Sequence, residues 1–398
     1  MKRRAPIDML ELTRLTRAGQ LDQAMALLRG TAQDRQNKDA LHSTPAFDTA
    51  NSAGVGQHPR LPLRVSPTPS IGIKLPAADA LRGELERTLK PRFRIPRCAA
   101  SEAESSPPLP VGARFELRNF TDLIGNRSYK LYIPASYNGT AVPLIVMLHG
   151  CTQSPDDFAR GTRMNELAEE RGWLVAWPAQ SRTANSSGCW NWFNPADQQR
   201  GCGEPALIAG ITRQIMRVFA VDPARIYVAG LSAGGAMAVI LGAAYPDLYA
   251  AVGVHSGLAR GVANDMPSAF SAMRSGGVPI ASSVAVPTII FHGDADTTVN
   301  PVNGLQVAAQ ASAAEPLRTT SSDGPSEGGL GWTRHVAATI GGRPILEQWL
   351  LHGVGHAWSG GSVAGSFVEP RGPDASRAML NFFAKHSIEP ASHRHDAA

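Results

Sequence analysis

Cysteine is scarce in this chain: four in 398 residues, Cys98, Cys151, Cys189 and Cys202. No two form a C-x-x-C pair, which excludes the usual zinc sites, and four thiols allow three pairings, so spacing alone assigns no disulfide. Charge is also sparse, at 18% of residues with a mild net +5. Much of the basic excess sits near the start, in Lys2-Arg3-Arg4 and at Arg87, Lys90, Arg92, Arg94 and Arg97. This reads as a solvated or weakly adhesive N-terminal region and not a nucleic-acid footprint. No run of about 18 apolar residues occurs, so neither a membrane-spanning helix nor stable membrane association is expected. Lys2-Arg3-Arg4 is like the basic start of a secretory signal, but Asp8, Glu11, Arg14 and Arg17 interrupt any apolar stretch behind it, so no signal peptide is predicted. The dinucleotide pattern G-x-G-x-x-G and a Walker lysine are missing too, and no cofactor is expected.

What the chain does contain falls into segments. Apolar residues at Met9, Leu12, Leu15, Leu21, Met25 and Leu28, with Gly30 as a stop, predict a short amphipathic helical segment over 1–30. Over 31–112 Pro, Ser, Ala, Gln and Asp dominate, which predicts a largely disordered, low-core region with an isolated helix near 77–89. A folded domain is expected over 113–388, followed by a flexible tail, 389–398. Arg114–Phe120 and Ser128–Ile133 alternate as paired strands do, and Val142–Leu148 is continuously apolar, as in a sheet covered on both faces. A helix near Asp156–Arg171, a strand at Trp173–Trp177 and a helix near Ala206–Phe219 follow. Strands at Ala250–His255 and Val286–His292, a helix near Val302–Ala314, a hairpin over Arg334–Leu351 and a helix over Ala375–Lys385 complete the order. Alternating strands and helices predict a mostly parallel central sheet with helices on both faces.

Within this frame, IYVAGLSAGGAM (Ile226–Met237) reads as a strand turning sharply into a helix, with Gly230-Leu231-Ser232-Ala233-Gly234 at the turn. That is a G-x-S-x-G nucleophile elbow, in which a strained turn presents the serine and small neighbours let strand and helix approach. A serine hydroxyl is a weak nucleophile near neutral pH and needs a histidine base oriented by a carboxylate. In α/β-hydrolases these follow in the order Ser, acid, His. The acid should leave the strand Val286–Gly293, where Asp294 and Asp296 are candidates. Asp296 is preferred because Thr297, Thr298 and Val299 can hold its loop, whereas Asp294 beside Gly293 suits a turn. The base should sit in His352-Gly353-Val354-Gly355-His356-Ala357-Trp358. His356, deeper in the loop, is preferred over His352, while His255 and His292 cap strands as structural histidines do. Oxyanion donors are expected from the N–H of Ala233 and, in His149-Gly150-Cys151-Thr152-Gln153, from that of Cys151, with Thr152 a further candidate.

LHGCTQ, the SGCWNWF segment, VDPARIYVAGLSAGGAMA, HGDADTTV and VGHAWSGG together resemble the polyhydroxybutyrate depolymerase-type esterases, an α/β-hydrolase family related to feruloyl and acetylxylan esterases. The likeness runs from about Arg114 to Lys385. It implies hydrolysis of carboxylic esters, of short-chain polyhydroxyalkanoate or its oligomers, with feruloyl or acetylxylan esters as the alternative and an inactive binding protein of the same fold as a second. The polyester or ester substrate is the partner expected. The resemblance also implies Ser232, Asp296 and His356 as the triad, Cys151 in the oxyanion loop, and a Cys151–Cys189 disulfide, against which a local Cys189–Cys202 bridge stands as the rival. Trp190, Trp192 and Trp358 are candidates for the substrate pocket wall, with packing over the sheet as the alternative. The family is typically secreted, which contrasts with the missing signal peptide and leaves a cytoplasmic location open.

Overall fold

In the central strands, side chains of odd and even number enter different cores, as the period of two requires. In β3 (Val142–Leu148), Leu144, Val146 and Leu148 join one cluster and Ile145 and Met147 the other; in β5 (Val221–Leu231), Ile226 and Val228 oppose Tyr227 and Ala229. Such strands must be covered on both faces, and among the described residues seven α-helices, three on one face and four on the other, do this.

The computed structural model describes residues 109–281, 286–313 and 316–389. The helical segment expected over 1–30, the helix near 77–89, Cys98 and the tail from 390 lie outside these residues. A sheet of ten strands runs in the order β1-β2-β4-β3-β5-β6-β7-β10-β9-β8. The remaining strands are β1 (Arg114–Thr121), β2 (Asn126–Ile133), β4 (Leu174–Pro178), β6 (Ala251–His255), β7 (Thr288–Gly293), β8 (Arg318–Pro325), β9 (Gly331–Ala338) and β10 (Pro344–Leu351). The stretch β4-β3-β5-β6-β7-β10 is parallel throughout, and antiparallel pairs close both ends. This is the mostly parallel sheet expected.

On one face lie α1 (Pro155–Thr162), α2 (Met164–Arg171) and α7 (Ala375–Phe383), which bring Phe158, Leu167, Leu380 and Phe383 onto Ile145 and Tyr227. On the other lie α3 (Gly203–Val218), α4 (Ala233–Ala244), α5 (Met266–Ser275) and α6 (Val302–Ala311). Their Ile208, Ile211, Met237, Ile240, Ala269 and Val307 cover Val146, Val228 and Val254. The starts are capped as their sequences suggest: Asp157 N–H donates to Ser154 Oγ (3.2 Å), Ser268 N–H to Asp265 Oδ1 (2.8 Å) and Arg377 N–H to Asp374 Oδ1 (2.9 Å).

The single helix expected over Asp156–Arg171 is two. Arg163 takes a left-handed conformation (φ 55°), and Gly161 O accepts from the distant Ser362 N–H (2.8 Å), so the first helix ends there. Helix α5 and edge strand β8 were not anticipated. The register brings the carboxyl ends of β3, β5, β6, β7 and β10 together, through the pairs Leu148↔Gly230, Leu231↔His255, His255↔Phe291 and Leu351↔Gly293. This edge is where parallel α/β sheets place ligands.

Candidate active site

Ser232 joins β5 to α4 at φ 58°, ψ −120°, a backbone region that a residue with a Cβ rarely adopts. Its N–H donates to His255 O on the neighbouring strand (2.9 Å), which fixes the turn from behind. The flanking glycines are required by space. A Cβ on Gly234 would overlap Leu148 O and come within 2.6 Å of His149 O, and one on Gly230 would run into the Gly234 backbone. The elbow thus packs backbone to backbone against the end of β3. Ser232 is 7% exposed.

Two strands from β5, Asp296 follows β7, and three strands away His356 follows β10. His356 Nδ1 lies 2.7 Å from Asp296 Oδ2, and the N–H groups of Thr298 and Val299 donate to Asp296 Oδ1 (both 2.9 Å). Burial pushes the Asp296 carboxyl upward, but the charge and hydrogen bond of His356, with His292 and Val299 N–H, outweigh this and hold it below the ordinary carboxylate range. An ionised Asp296 requires the proton on His356 Nδ1, which leaves the Nε2 lone pair free to act as a base. His292, also buried, sits 3.5 Å from Asp296 Oδ2 and donates through Nε2 to Val299 O (2.9 Å). The second candidates pair with each other: His352 Nδ1 lies 3.0 Å from Asp294 Oδ2.

His255 closes the back of the site. Its ring stacks against Phe291 and Trp358, Ser359 N–H donates to its Nε2 (3.1 Å), and its Nδ1 faces Ser256 Oγ (3.1 Å). Burial, then the nearby His292 and His356, keep it neutral well below the ordinary histidine range.

The loop after β3 lies against the elbow, where a Cβ added at Gly150 would lie 3.6 Å from Leu231 O. Among the described residues, the N–H groups of Cys151 and Ala233 donate to no other group. That of Thr152 is committed to Ser187 O (2.9 Å), which removes Thr152 as a donor. Cys151 is joined to Cys189 by a disulfide with Cα atoms 4.2 Å apart, and Cys202 is free and exposed.

Sequence reasoning missed the polar frame beneath this loop. His149 donates from Nδ1 to Gly150 O (2.8 Å) and accepts Gln180 N–H at Nε2 (3.1 Å); burial depresses its pKa to about 4. Glu204 accepts from the Gln180 amide, from Asn191 N–H (2.7 Å) and from Asn191 Nδ2 (2.9 Å), and faces the Arg127 guanidinium at 3.4 Å. The only sequence signal was an acidic residue at the start of α3. Two of the three tryptophans weighed for the pocket wall take the packing alternative. Trp190 is wholly buried, donating to His149 O (3.1 Å), and Trp358 is wholly buried, donating to Ser376 Oγ (3.1 Å). Neither offers surface to a substrate. Trp192, 6% exposed, packs edge-on against Phe193. Among the described residues no cluster of His, Cys, Asp and Glu is arranged to hold a metal ion.

A serine on a strained strand–helix elbow, at the carboxyl edge of a parallel sheet with helices on both faces, defines the α/β-hydrolase fold. A solved acetyl xylan esterase from Aspergillus awamori has the same fold, with a TM-score of 0.53 at 20% identity over 68% of this chain and 99% of that one. Residues 127–317 match the family described as esterase PHB depolymerase. Poly(3-hydroxyalkanoate) depolymerase C of Paucimonas lemoignei is 31% identical over 260 residues, covering 62% of each chain. Feruloyl esterase B of Thermothelomyces thermophilus is 30% identical over 263 residues, 61% of this chain and 87% of the relative. The chain belongs to the PHB depolymerase esterase family; it spans under two thirds of the length of the Paucimonas relative.

Proposed function

We propose that the protein is a serine esterase that hydrolyses carboxylic esters through an acyl-enzyme. The observation that carries this reading is the 2.7 Å Asp296–His356 contact at the sheet edge that also presents Ser232 on its strained turn. In this mechanism Ser232 Oγ attacks the ester carbonyl carbon while His356 Nε2 takes its proton. The oxyanion is received by the N–H groups of Ala233 and Cys151, which have no other acceptor among the described residues. Collapse breaks the C–O bond to the alcohol, which leaves with the proton from His356. Water, deprotonated by His356, then attacks the acyl-enzyme and releases the carboxylic acid. Asp296 stabilises the imidazolium at both stages. The catalytic unit is residues 113–388.

The substrate we favour is a short-chain hydroxyalkanoate polyester or its oligomers, after the depolymerase named among the relatives. A second reading, feruloyl or acetylxylan esters, is favoured by the 87% of feruloyl esterase B that the chain spans. Turnover of hydroxybutyrate oligomers, feruloyl esters, acetylated xylan and short p-nitrophenyl esters separates them. The favoured reading expects the highest kcat/KM among natural esters on hydroxybutyrate oligomers. Preference for feruloyl or acetyl esters would replace it, and no turnover of any ester would leave an inactive binding protein of this fold.

A further inference from the structure

The second acid–imidazole pair, Asp294 and His352, has no step in that mechanism, yet it touches both loops that carry the proposed acid and base. Asp294 Oδ1 accepts Gly353 N–H at 2.7 Å, and its Oδ2 lies 3.0 Å from His352 Nδ1. One carboxylate on the acid loop therefore grips two successive residues at the root of the base loop. The ring is held from its far side as well, with Nε2 3.0 Å from Thr333 Oγ1, and His352 N–H donates to Gly331 O (2.9 Å). The backbones are joined beside the pair, by Asp294 N–H to Leu351 O (3.0 Å) and Ala295 N–H to Val354 O (3.1 Å). No room remains for slippage there, since a Cβ on Gly293 would overlap Val354 O and meet Gly355 O at 2.9 Å. Within and past these contacts the base loop carries two glycines, Gly353 at φ 70° and Gly355, before reaching His356.

A loop with two glycines does not hold an imidazole in place by itself, because glycine restricts the backbone least. We propose that Asp294 and His352 form a clamp that positions His356 against Asp296 and towards Ser232. They are positioning residues, and the proposal rests on the triad reading given above. Thr333, His352 and Asp294 do repeat the order hydroxyl, imidazole, carboxylate. However, Thr333 lies in β9, whose backbone is hydrogen-bonded into ladders with both β8 and β10, so the strand that carries it has no free N–H groups of its own to receive an oxyanion.

The clamp requires an acceptor at Oδ1 for Gly353 N–H and a polar atom opposite His352 Nδ1. Asparagine supplies both, since the imidazole can change tautomer, accept from the amide and donate to Thr333 Oγ1. Alanine supplies neither. The test is the rate of covalent labelling of the full chain by a fluorophosphonate, with the final labelled fraction and kcat and KM on a soluble p-nitrophenyl ester measured in parallel. Asp294→Ala and His352→Ala should each lower the labelling rate constant and kcat about 10- to 100-fold, the scale of a 1 Å misplacement of a reacting group. KM should change little and labelling should still reach completion. Asp294→Asn should return to within about threefold of wild type, and the double alanine variant should be no worse than the more damaging single, as expected for overlapping contacts. A purely structural role would lower the labelled fraction and leave the rate constant unchanged, which overturns the clamp. An asparagine variant no better than alanine, or additive losses in the double variant, would overturn it as well. Should Asp294→Ala not fold, His352→Ala against Asp294→Asn carries the test. Asp296→Asn in the same assay separates the two claims. Loss there with wild-type behaviour of Asp294→Ala overturns the clamp alone, whereas wild-type behaviour of both overturns the triad and the clamp with it.

Discussion

His149 makes acid a specific threat to the loop proposed to receive the oxyanion. The folded protein keeps this imidazole neutral down to about pH 4, because burial penalises the charged form, while the unfolded chain binds the proton near 6.5. The sign follows directly. Between these values only the unfolded state takes up the proton, so His149 contributes stability that is present above about pH 6.5 and is lost as the pH falls towards 4. Integrating this difference from pH 7 to pH 5 gives a loss of about 2 kcal/mol from His149 alone. The loss has a local meaning: a proton on Nε2 would set a donor against the Gln180 N–H that this nitrogen now accepts. His386, held down to about 4 first by burial and then by Arg343 and Lys385, acts in the same direction, so wild type alone cannot isolate His149. Guanidinium denaturation of wild type and His149→Gln across pH 5–7 does so. The variant should be less stable at pH 7 and lose about 2 kcal/mol less on going to pH 5. Equal losses in the two proteins would show that His149 is not the neutral buried group described.

Asp296→Asn should lower kcat about 10⁴-fold by favouring the wrong His356 tautomer, whereas Asp294→Asn should cost far less; steady-state turnover of both variants checks the order. Replacing Cys151 and Cys189 together by serine keeps the backbone donor but removes the tie between the oxyanion loop and the Trp190 segment. Unfolding free energy should fall by about 2–4 kcal/mol, and kcat should fall more than KM rises. An unchanged kcat would make the bridge purely a stabiliser. Gly234→Ala has only backbone to push against at Leu148 and His149, so it should cost about 1–3 kcal/mol and move the elbow. Thermal unfolding and turnover should drop together, and a variant with wild-type values would contradict the packing described.

The parallel core was legible because strands buried on both faces read as continuous apolar runs, as in Val142–Leu148 and Ile226–Ala229. The elbow was legible because its glycines are demanded by local sterics. Strand β8 was not, since RTTSSDGP carries no apolar alternation and is exposed along almost its whole length; it exists by pairing with β9. Helix α5 buries only Ala269 and Ala272, too little for a helical stripe to stand out. The break at Arg163 depends on Ser362, far along the chain, taking the Gly161 carbonyl. Distance along the chain also hid the frame of the oxyanion loop, because nothing near Glu204 announces Gln180, Asn191 or Arg127 as partners. Trp190 and Trp358 show a different limit. An indole beside Ser, Asn and Gly has the same local sequence whether it walls a cleft or fills a core, and the choice falls to partners such as His149 O and Ser376 Oγ.

Hydrolysis of a short-chain p-nitrophenyl ester by Ser232→Ala, compared with wild type, bears most directly on the central claim. Among the described residues the Ser232 hydroxyl has no hydrogen-bond partner, so its removal should leave thermal unfolding nearly unchanged. Wild type is expected to turn the ester over, and the folded variant to retain less than about 1% of that rate, with only a residue from binding and the oxyanion donors. A folded Ser232→Ala protein that keeps more than about 1% of the activity, with contaminating esterase excluded, would contradict Ser232 as the nucleophile.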